Sequence, residues 1–196
     1  MTHPASAPMV RPEVSRAVLA LAKELNALKL GDFTLSSGQK STYYFDGRLL
    51  SLNSEGAGIL AEVVVDLARR FGVGAVGGPT IGADPIVGAA LSLAYRNGIP
   101  LQGFLVRSEA KGHGMQRQVE GALKAGTSVM VLDDTCSTGG SLLRSLEAVE
   151  AMGCKVAVVF TVLDRRQGGS DDLRRRGYAY VTLLEADASG NVRVVG

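Results

Sequence analysis

The middle of the chain contains the run VMVLDDTCSTGGS, residues 129–141. Its first four residues are apolar and predict a strand that is buried on both faces of a parallel sheet. Two acids, Asp133 and Asp134, stand at the carboxyl end of this strand, and a loop of small residues leads from them into a helix. Ligands of open α/β sheets bind beyond the carboxyl ends of the strands. The run therefore predicts both the fold class and the position of the site.

The loop from Thr135 to Ser141 has the composition of a phosphate site. A Thr/Ser/Gly loop that enters a helix presents free backbone N–H groups and the positive end of the helix dipole to an anion. The adjacent carboxylates of Asp133 and Asp134 would repel a phosphate beside them, but they suit vicinal hydroxyls or a metal slightly further away. A phosphorylated ribose satisfies both halves of this pattern. Taken alone, the Asp-Asp pair is equally compatible with a strand end and a helix cap.

Strands and helices alternate on both sides of this run. Alternation of this kind indicates right-handed βαβ units and a mostly parallel central sheet flanked by helices. The predicted strands cover residues 75–76, 101–106, 128–132, 155–163 and 178–184, and the predicted helices begin at Asp84, Gly140 and Ser170. The polar, Gly-rich segment 107–125 shows no periodicity, and loops of this length are usually functional or mobile.

The N-terminal part predicts a tail, a helix and a hairpin. Residues 1–11 have the composition of a flexible tail, and a helix opens at Pro12 and closes at Gly31. Residues 33–50 predict a β-hairpin. The apolar stripe that carries the helix prediction consists of Val14, Val18, Leu21, Leu25 and Leu28. With the alternating segment, these elements predict a single domain over residues 1–196.

The composition excludes several classes of function. Lys and Arg number 21 and Asp and Glu 19, and a net charge of +2 is too small for a general nucleic-acid or membrane binder. Aromatic residues make up 5% and Trp is absent, which argues against a base-stacking platform. The two cysteines, Cys136 and Cys154, lack metal or disulfide spacing and indicate a reduced, cytoplasmic protein. The longest apolar runs, such as residues 156–160, are too short to span a bilayer, so no membrane span is expected.

Two local patterns resemble functional motifs but favour a structural role. Residues 72–77, GVGAVG, match G-x-G-x-x-G, but the predicted strand lies inside the motif rather than before it, so we do not expect dinucleotide binding. Cys136 stands near a predicted helix N-terminus, which lowers a thiol pKa. No His pairs with it in the sequence, so we interpret it as a small residue of the phosphate loop.

Four segments together resemble the orotate phosphoribosyltransferases, which are type I phosphoribosyltransferases. Residues 129–141 resemble their signature for 5-phosphoribosyl 1-pyrophosphate (PRPP), and residues 33–46 resemble their hood hairpin. Residues 104–114 resemble their mobile catalytic loop, and residues 163–165 their base-side arginine segment. The resemblance implies the type I fold with a small hood built from both termini. It also implies Mg²⁺-dependent transfer of ribose 5-phosphate from PRPP to orotate in pyrimidine biosynthesis, which yields orotidine 5′-monophosphate and pyrophosphate.

The same resemblance implies roles for individual residues. Asp133 and Asp134 would hold the ribose hydroxyls, and the catalytic contacts to pyrophosphate would be Arg107, Lys111 and His113. The residues around the 5-phosphate would be Thr135, Cys136, Ser137, Thr138, Gly139, Gly140 and Ser141. The orotate contacts would be Ser137, Arg165, Tyr44 and Phe45. Mg²⁺ would arrive on the pyrophosphate without a protein cage. Loop 107–125 would complete the neighbouring site of a homodimer.

The chain departs from this family at three positions. Ser36, Gly82 and Ser108 stand where many relatives carry basic residues, so either this is a subtype with fewer charges or PRPP binds more weakly. Three other functions compete: a purine phosphoribosyltransferase, a non-catalytic PRPP-sensing regulator that binds nucleic acid, and a generic phosphosugar-binding domain. The hairpin and the R-x-x-x-K-x-H-G loop argue against the first, and the low net charge argues against the second.

Overall fold

A computed structural model describes residues 9–34, 40–108, 118–187 and 189–195. The described helices are α1 (Pro12–Glu24), α2 (Arg48–Ser51), α3 (Ser54–Arg70), α4 (Asp84–Arg96), α5 (Gly140–Ala151) and α6 (Gly169–Arg175). The described strands are β1 (Leu28–Thr34), β2 (Lys40–Phe45), β3 (Ala75–Pro79), β4 (Gln102–Val106), β5 (Val119–Gly121), β6 (Ser128–Cys136), β7 (Lys155–Asp164), β8 (Tyr180–Ala186) and β9 (Val192–Val194).

Seven of these strands form the central sheet, in the order β5-β4-β3-β6-β7-β8-β9. The five inner strands are parallel, and the short strands β5 and β9 close the two edges in the antiparallel sense. Strand β6 lies at the centre, which places the end of the run 129–141 between β3 and β7. The predicted parallel sheet flanked by helices is confirmed.

The side chains of β6 alternate between two apolar layers. Met130 and Leu132 pack into a core with residues of α1, α3 and α4, whereas Val129 and Val131 pack into a second core with residues of α5 and α6. All four are fully buried. Burial on both faces explains why this strand is continuously apolar rather than alternating between apolar and polar residues.

The N-terminal hairpin begins earlier than predicted. Helix α1 ends at Glu24, and Leu28, which we expected on the helix stripe, instead pairs with Phe45 across the β1–β2 hairpin. Asn26 takes a left-handed φ of 54°, which ends the helical path. Gly31 therefore does not cap a helix but lies at the register shift of the hairpin, between Leu30 and Phe33. The prediction of a helix from Pro12 to Gly31 is wrong in its last two turns.

Two further elements differ from the sequence expectation. Strand β5 lies within the segment 107–125, which we expected to contain no regular structure, and it pairs with β4 from Val106 to Phe104. Segment 33–50 also contains the short helix α2 after its second strand. Among the described residues, no helix combines the length and the apolar character that a bilayer crossing requires.

Candidate active site

Two neighbouring carboxylates stand at the carboxyl end of β6. The side chain of Asp133 is buried, and its two oxygens accept hydrogen bonds from the backbone N–H of Asp134 at 2.9 Å and from the hydroxyl of Ser141 at 3.2 Å. The hydroxyl of Thr135 donates to Asp134 Oδ1 at 3.2 Å. Burial and the charge of Asp134 raise the pKa of Asp133 well above its usual range. Perturbed carboxylates of this kind concentrate at functional sites.

Two glycines border these carboxylates at close range. A Cβ added at Gly82, in the loop after β3, would collide with Asp133 Oδ1 and lie 2.7 Å from Asp134 Oδ1. A Cβ added at Gly47, just before α2, would lie 2.8 Å from Asp134 Oδ2. The loop after β3 therefore packs directly on the acidic pair. Gly82 is the position where many relatives carry a basic residue, and a side chain here would require the carboxylates of Asp133 and Asp134 to move.

The phosphate-loop candidate runs from the end of β6 into α5. Gly139 takes a left-handed φ of 81°, and α5 begins at Gly140. A Cβ at Gly139 would stand 3.0 Å from the Cα of Gly169, so the loop lies directly against the start of α6. The backbone N–H of Gly169 donates to Ser137 O at 3.0 Å. Glycine is needed at these positions for backbone conformation and for close approach.

Cys136 ends β6 with a buried side chain. Burial, reinforced by the charge of Asp164, raises the pKa of its thiol to about 11. This direction is opposite to the effect of a helix N-terminus, because burial is the largest cause of the shift. A thiol in this environment stays protonated at neutral pH, which excludes a thiolate nucleophile.

Arg165 follows β7 and stands next to the phosphate-loop candidate. Its backbone N–H donates to Cys136 O at 2.8 Å. Its guanidinium lies 5.3 Å from the centroid of the Tyr43 ring, and its Nη2 donates to Phe45 O at 3.4 Å. Arg165 and Tyr43 line a cavity of about 580 Å³, together with other hairpin residues and Asp187. The hairpin thus forms one wall of this cavity and the arginine segment another.

The predicted orotate contacts Tyr44 and Phe45 are not among the residues that line this cavity, whereas Phe33 and Tyr43 of the hairpin are. Phe45 is buried in the core, and Tyr44 is exposed on the opposite face of the hairpin, 5.8 Å from the Phe33 ring. Of the described residues that line the cavity, the aromatic one from β2 is Tyr43. The period-2 alternation of a strand places Tyr43 and Phe45 on one face, and this signal was available in the sequence.

The predicted catalytic residues are only partly described. Arg107 follows β4, and its Nη1 lies 3.3 Å from Glu120 Oε1 across the β4–β5 pair. The backbone N–H of Thr80 donates to Val106 O at 3.0 Å, so the loop after β3 and the end of β4 lie side by side. Lys111 and His113 lie outside the described residues, as does Ser36. Ser108 is described and exposed.

Known proteins resemble the chain over most of its length. The phosphoribosyl transferase domain family matches residues 63–192. An orotate phosphoribosyltransferase of Rhodopirellula baltica is 41% identical over 173 residues, which cover 85% of this chain and 90% of the relative. This chain belongs to the orotate phosphoribosyltransferase family. Its sequence resemblance to that family is therefore confirmed.

Solved structures of the family share the fold. An orotate phosphoribosyltransferase of Mycobacterium tuberculosis H37Rv, in complex with Fe(III) dicitrate, superposes with a TM-score of 0.75 at 34% identity and covers 88% of this chain and 96% of that one. A structure of the M. tuberculosis H37Rv enzyme in complex with PRPP superposes with a TM-score of 0.69 at 29% identity, covering 89% and 94%. The predicted type I phosphoribosyltransferase fold is confirmed.

Asp133→Asn should raise the midpoint of thermal unfolding at pH 7. The raised pKa of Asp133 means that the native state binds this proton more tightly than the unfolded chain, so stability falls as the pH rises above the ordinary Asp pKa and the loss is complete above the raised pKa. The gain should shrink as the pH falls toward about 3.9, the ordinary Asp value, because both states are then protonated. Thermal melts at pH 7 and pH 5 measure the difference.

The matched control for this measurement is Asp66→Asn. The side chain of Asp66 is 53% exposed on α3 and pairs with Arg70, and exposed pairs contribute little to stability. Its melting temperature should change little at either pH. A loss of stability in Asp133→Asn at pH 7 would contradict the assigned cost of the buried charge.

Proposed function

We propose that the chain transfers ribose 5-phosphate from PRPP to orotate and releases orotidine 5′-monophosphate and pyrophosphate. One juxtaposition carries this proposal. Backbone hydrogen bonds of 2.8 Å from Arg165 to Cys136 and of 3.0 Å from Gly169 to Ser137 tie the arginine segment to the phosphate-loop candidate. An anion-binding loop and a planar cation that suits a carboxylate thus lie side by side. The Rhodopirellula baltica relative, named an orotate phosphoribosyltransferase, supports the same assignment.

The residues at the end of β6 suit a phosphorylated ribose. In our proposal Asp133 and Asp134 accept hydrogen bonds from the ribose hydroxyls, and the backbone of residues 135–141 holds the 5-phosphate. Arg165 binds the orotate carboxylate with its planar fork, beside Ser137. Displacement of pyrophosphate leaves positive charge on the sugar and a highly charged leaving group, which Arg107, Lys111 and His113 neutralise as the charge develops.

We further propose that the reaction uses Mg²⁺ carried by the pyrophosphate group. The described residues contain no cluster of three or more His, Cys, Asp or Glu side chains that could hold a metal by themselves. Asp133 and Asp134 supply carboxylate oxygens, the ligand type that Mg²⁺ prefers, and Mg²⁺ commonly combines one or two carboxylates with substrate phosphates. The donor set therefore fits a cation delivered by the substrate. Bound Mg²⁺ supplies charge neutralisation at the leaving group.

We propose that the chain forms a homodimer and that it acts in the cytoplasm. Among the described residues, five large apolar side chains are at least 45% exposed: Leu30, Leu49, Leu52, Ile81 and Tyr95. Leu49 lies two residues after Gly47, and Ile81 directly precedes Gly82. Both glycines border the acidic pair. Exposed apolar surface marks interaction sites, and two-fold dimers are the commonest assemblies. Loop 107–125 would then complete the site of the neighbouring subunit.

Gly82→Ala should raise the KM for PRPP by about ten- to hundredfold, the loss expected when charged hydrogen bonds are misplaced. The added Cβ displaces Asp133 Oδ1, and Asp134 Oδ1 lies only 2.7 Å away, so both carboxylates move from the ribose hydroxyls. Steady-state kinetics at saturating orotate measure the change. Gly88→Ala in α4 is the control, because a Cβ there has open space. Equal KM values for PRPP in the two variants would refute the role of this close approach.

The choice of base is tested with a substrate panel. Purified protein is assayed with PRPP, Mg²⁺ and either orotate, adenine, hypoxanthine or guanine, and product formation is followed by chromatography. We expect turnover of orotate and none of the purines. Turnover of a purine in place of orotate would contradict the proposed choice of base.

A further inference from the structure

The orientation of Arg165 depends on few direct contacts. Its Nη2 makes a long hydrogen bond of 3.4 Å to Phe45 O, and its Nε is buried with no hydrogen-bond partner in the part of the chain that is described. The guanidinium also lies over the Tyr43 ring, with 5.3 Å between Cζ and the ring centroid. A cation over an aromatic face at this distance is attracted by the ring quadrupole. The ring is therefore a second contact, beside the long hydrogen bond to Phe45 O, that orients the guanidinium.

Tyr43 is itself held rigidly from two sides. Its side chain is 4% exposed, and in the hairpin its backbone pairs with Leu30. The hydroxyl of Ser41 donates to Tyr43 O at 2.6 Å and accepts from Tyr43 N at 3.3 Å. The Tyr43 hydroxyl is buried and has no hydrogen-bond partner in the described chain, so the position of the ring depends on packing rather than on its polar end.

The turn between β8 and β9 supports the other side of Tyr43. Gly190 takes a left-handed φ of 82°, and a Cβ there would lie 3.1 Å from Tyr43 Cδ1 and 2.7 Å from Thr42 Oγ1. Asp187 fixes this turn, because its carboxylate accepts from Ser189 N, Asn191 N and Asn191 Nδ2 at 2.9, 2.9 and 3.0 Å. The turn thus packs against Tyr43 of the hairpin, and Tyr43 in turn packs against the guanidinium of Arg165.

We infer that Tyr43, supported by the turn at Gly190, is a positioning residue that holds the guanidinium of Arg165 for the base. This inference rests on the proposed function, in which Arg165 binds orotate. The ring orients the cation before the substrate arrives. This pre-orientation lowers the entropic cost of ordering the side chain, which binding must offset. Tyr43 makes no contact with the reacting atoms in this account, so its loss affects orotate binding and leaves the use of PRPP intact.

Tyr43→Leu should raise the KM for orotate by about three- to thirtyfold, the range expected for a partly buried cation–π contact. The kcat and the KM for PRPP should stay within about twofold of wild type, because the phosphate site is not altered. Tyr43→Phe is the conservative variant: it keeps the ring and removes only the hydroxyl that lacks a hydrogen-bond partner. Its KM for orotate should match the wild type. If Tyr43 had only a structural role, its replacement by Leu would lower kcat and would also lower kcat/KM for both orotate and PRPP.

A second pair of variants tests the turn without touching the ring. Gly190→Ala places a methyl group against Tyr43 and Thr42, and its KM for orotate should rise at least about threefold. Gly126→Ala is the matched control, because Gly126 has the same φ of 82° but open space around it. Gly126→Ala controls for placing Ala at this positive φ, whereas only Gly190→Ala adds the contact with Tyr43 and should bind orotate more weakly. This pair also decides the case if Tyr43→Leu does not fold.

Arg165→Ala separates this inference from the proposed function. If Arg165→Ala raises the KM for orotate while Tyr43→Leu and Gly190→Ala match their controls, the positioning role is wrong and the proposed function stands. If the wild-type protein does not consume orotate at all, the proposed function fails first. In the expected outcome the double variant Tyr43→Leu/Arg165→Ala has the same KM for orotate as Arg165→Ala, because the ring acts only through that guanidinium.

Discussion

Lys111→Ala should lower kcat by about a hundredfold or more and leave the KM for PRPP within a few fold of wild type. Lys111 lies in the segment R-x-x-x-K-x-H-G that resembles the catalytic loop of the family. Its ammonium group would meet negative charge that grows on the departing pyrophosphate. A group that acts on charge present only in the transition state contributes to turnover rather than to ground-state binding. Initial-rate kinetics with varied PRPP separate the two parameters.

The comparison for this measurement is Asp133→Asn. This variant should raise the KM for PRPP about tenfold or more, because charged hydrogen bonds contribute about 1.5–3 kcal/mol each. Lys155→Ala, at the exposed start of β7, is the control for loss of a positive charge away from the site. If Lys111→Ala and Asp133→Asn changed kcat and KM in the same proportions, the separate roles assigned to them would be wrong.

Two nearly inactive variants should restore activity to one another when they are mixed. One chain carries Lys111→Ala and the other carries both Asp133→Asn and Asp134→Asn; the two are unfolded and refolded together. Random pairing gives about half mixed dimers, and in each of these one site carries all the lesions while the other is intact. About a quarter of wild-type activity should therefore return, which is a large gain over either parent. Specific activity after refolding measures it.

The control is each variant refolded alone, which should regain its own low activity. If Lys111 acts within its own subunit, every site of a mixed dimer carries a lesion, and mixing yields only the parental level. That result, with dimers present by light scattering, would remove loop exchange from the proposal and leave the transferase assignment intact.

The central sheet could be predicted because its middle strands, β6 and β7, contain continuous apolar runs. Residues 129–132 are buried on both faces, and burial of this kind leaves a clear apolar run in the sequence. Strands β5 and β9 have three residues each and pair only through the sheet edge, so no local pattern marks them. Leu28, the first residue of β1, continues the apolar stripe of the predicted helix. Its pairing with Phe45 of β2 overrides that local preference.

The site could be predicted at its loops but not at its contacts. The anion-loop composition of residues 135–141 follows from backbone chemistry and is visible in one stretch of sequence. The approach of Gly82 to the acidic pair joins residues fifty positions apart, and only the packing of β3 beside β6 creates it. The support of Arg165 by Tyr43 and Gly190 joins three distant segments in the same way. A local sequence pattern indicates the backbone conformation of its own segment, whereas contacts between distant segments depend on the assembled fold.

Orotate consumption by the purified chain tests the central claim most directly. Orotate, PRPP and Mg²⁺ are combined with the protein, the absorbance change of orotate is followed, and released pyrophosphate is measured in the same sample. We predict that orotate disappears only when PRPP and Mg²⁺ are both present, with one pyrophosphate formed for each orotate consumed. Orotate that stays unchanged under these conditions, with folded protein and intact PRPP, would contradict the assignment.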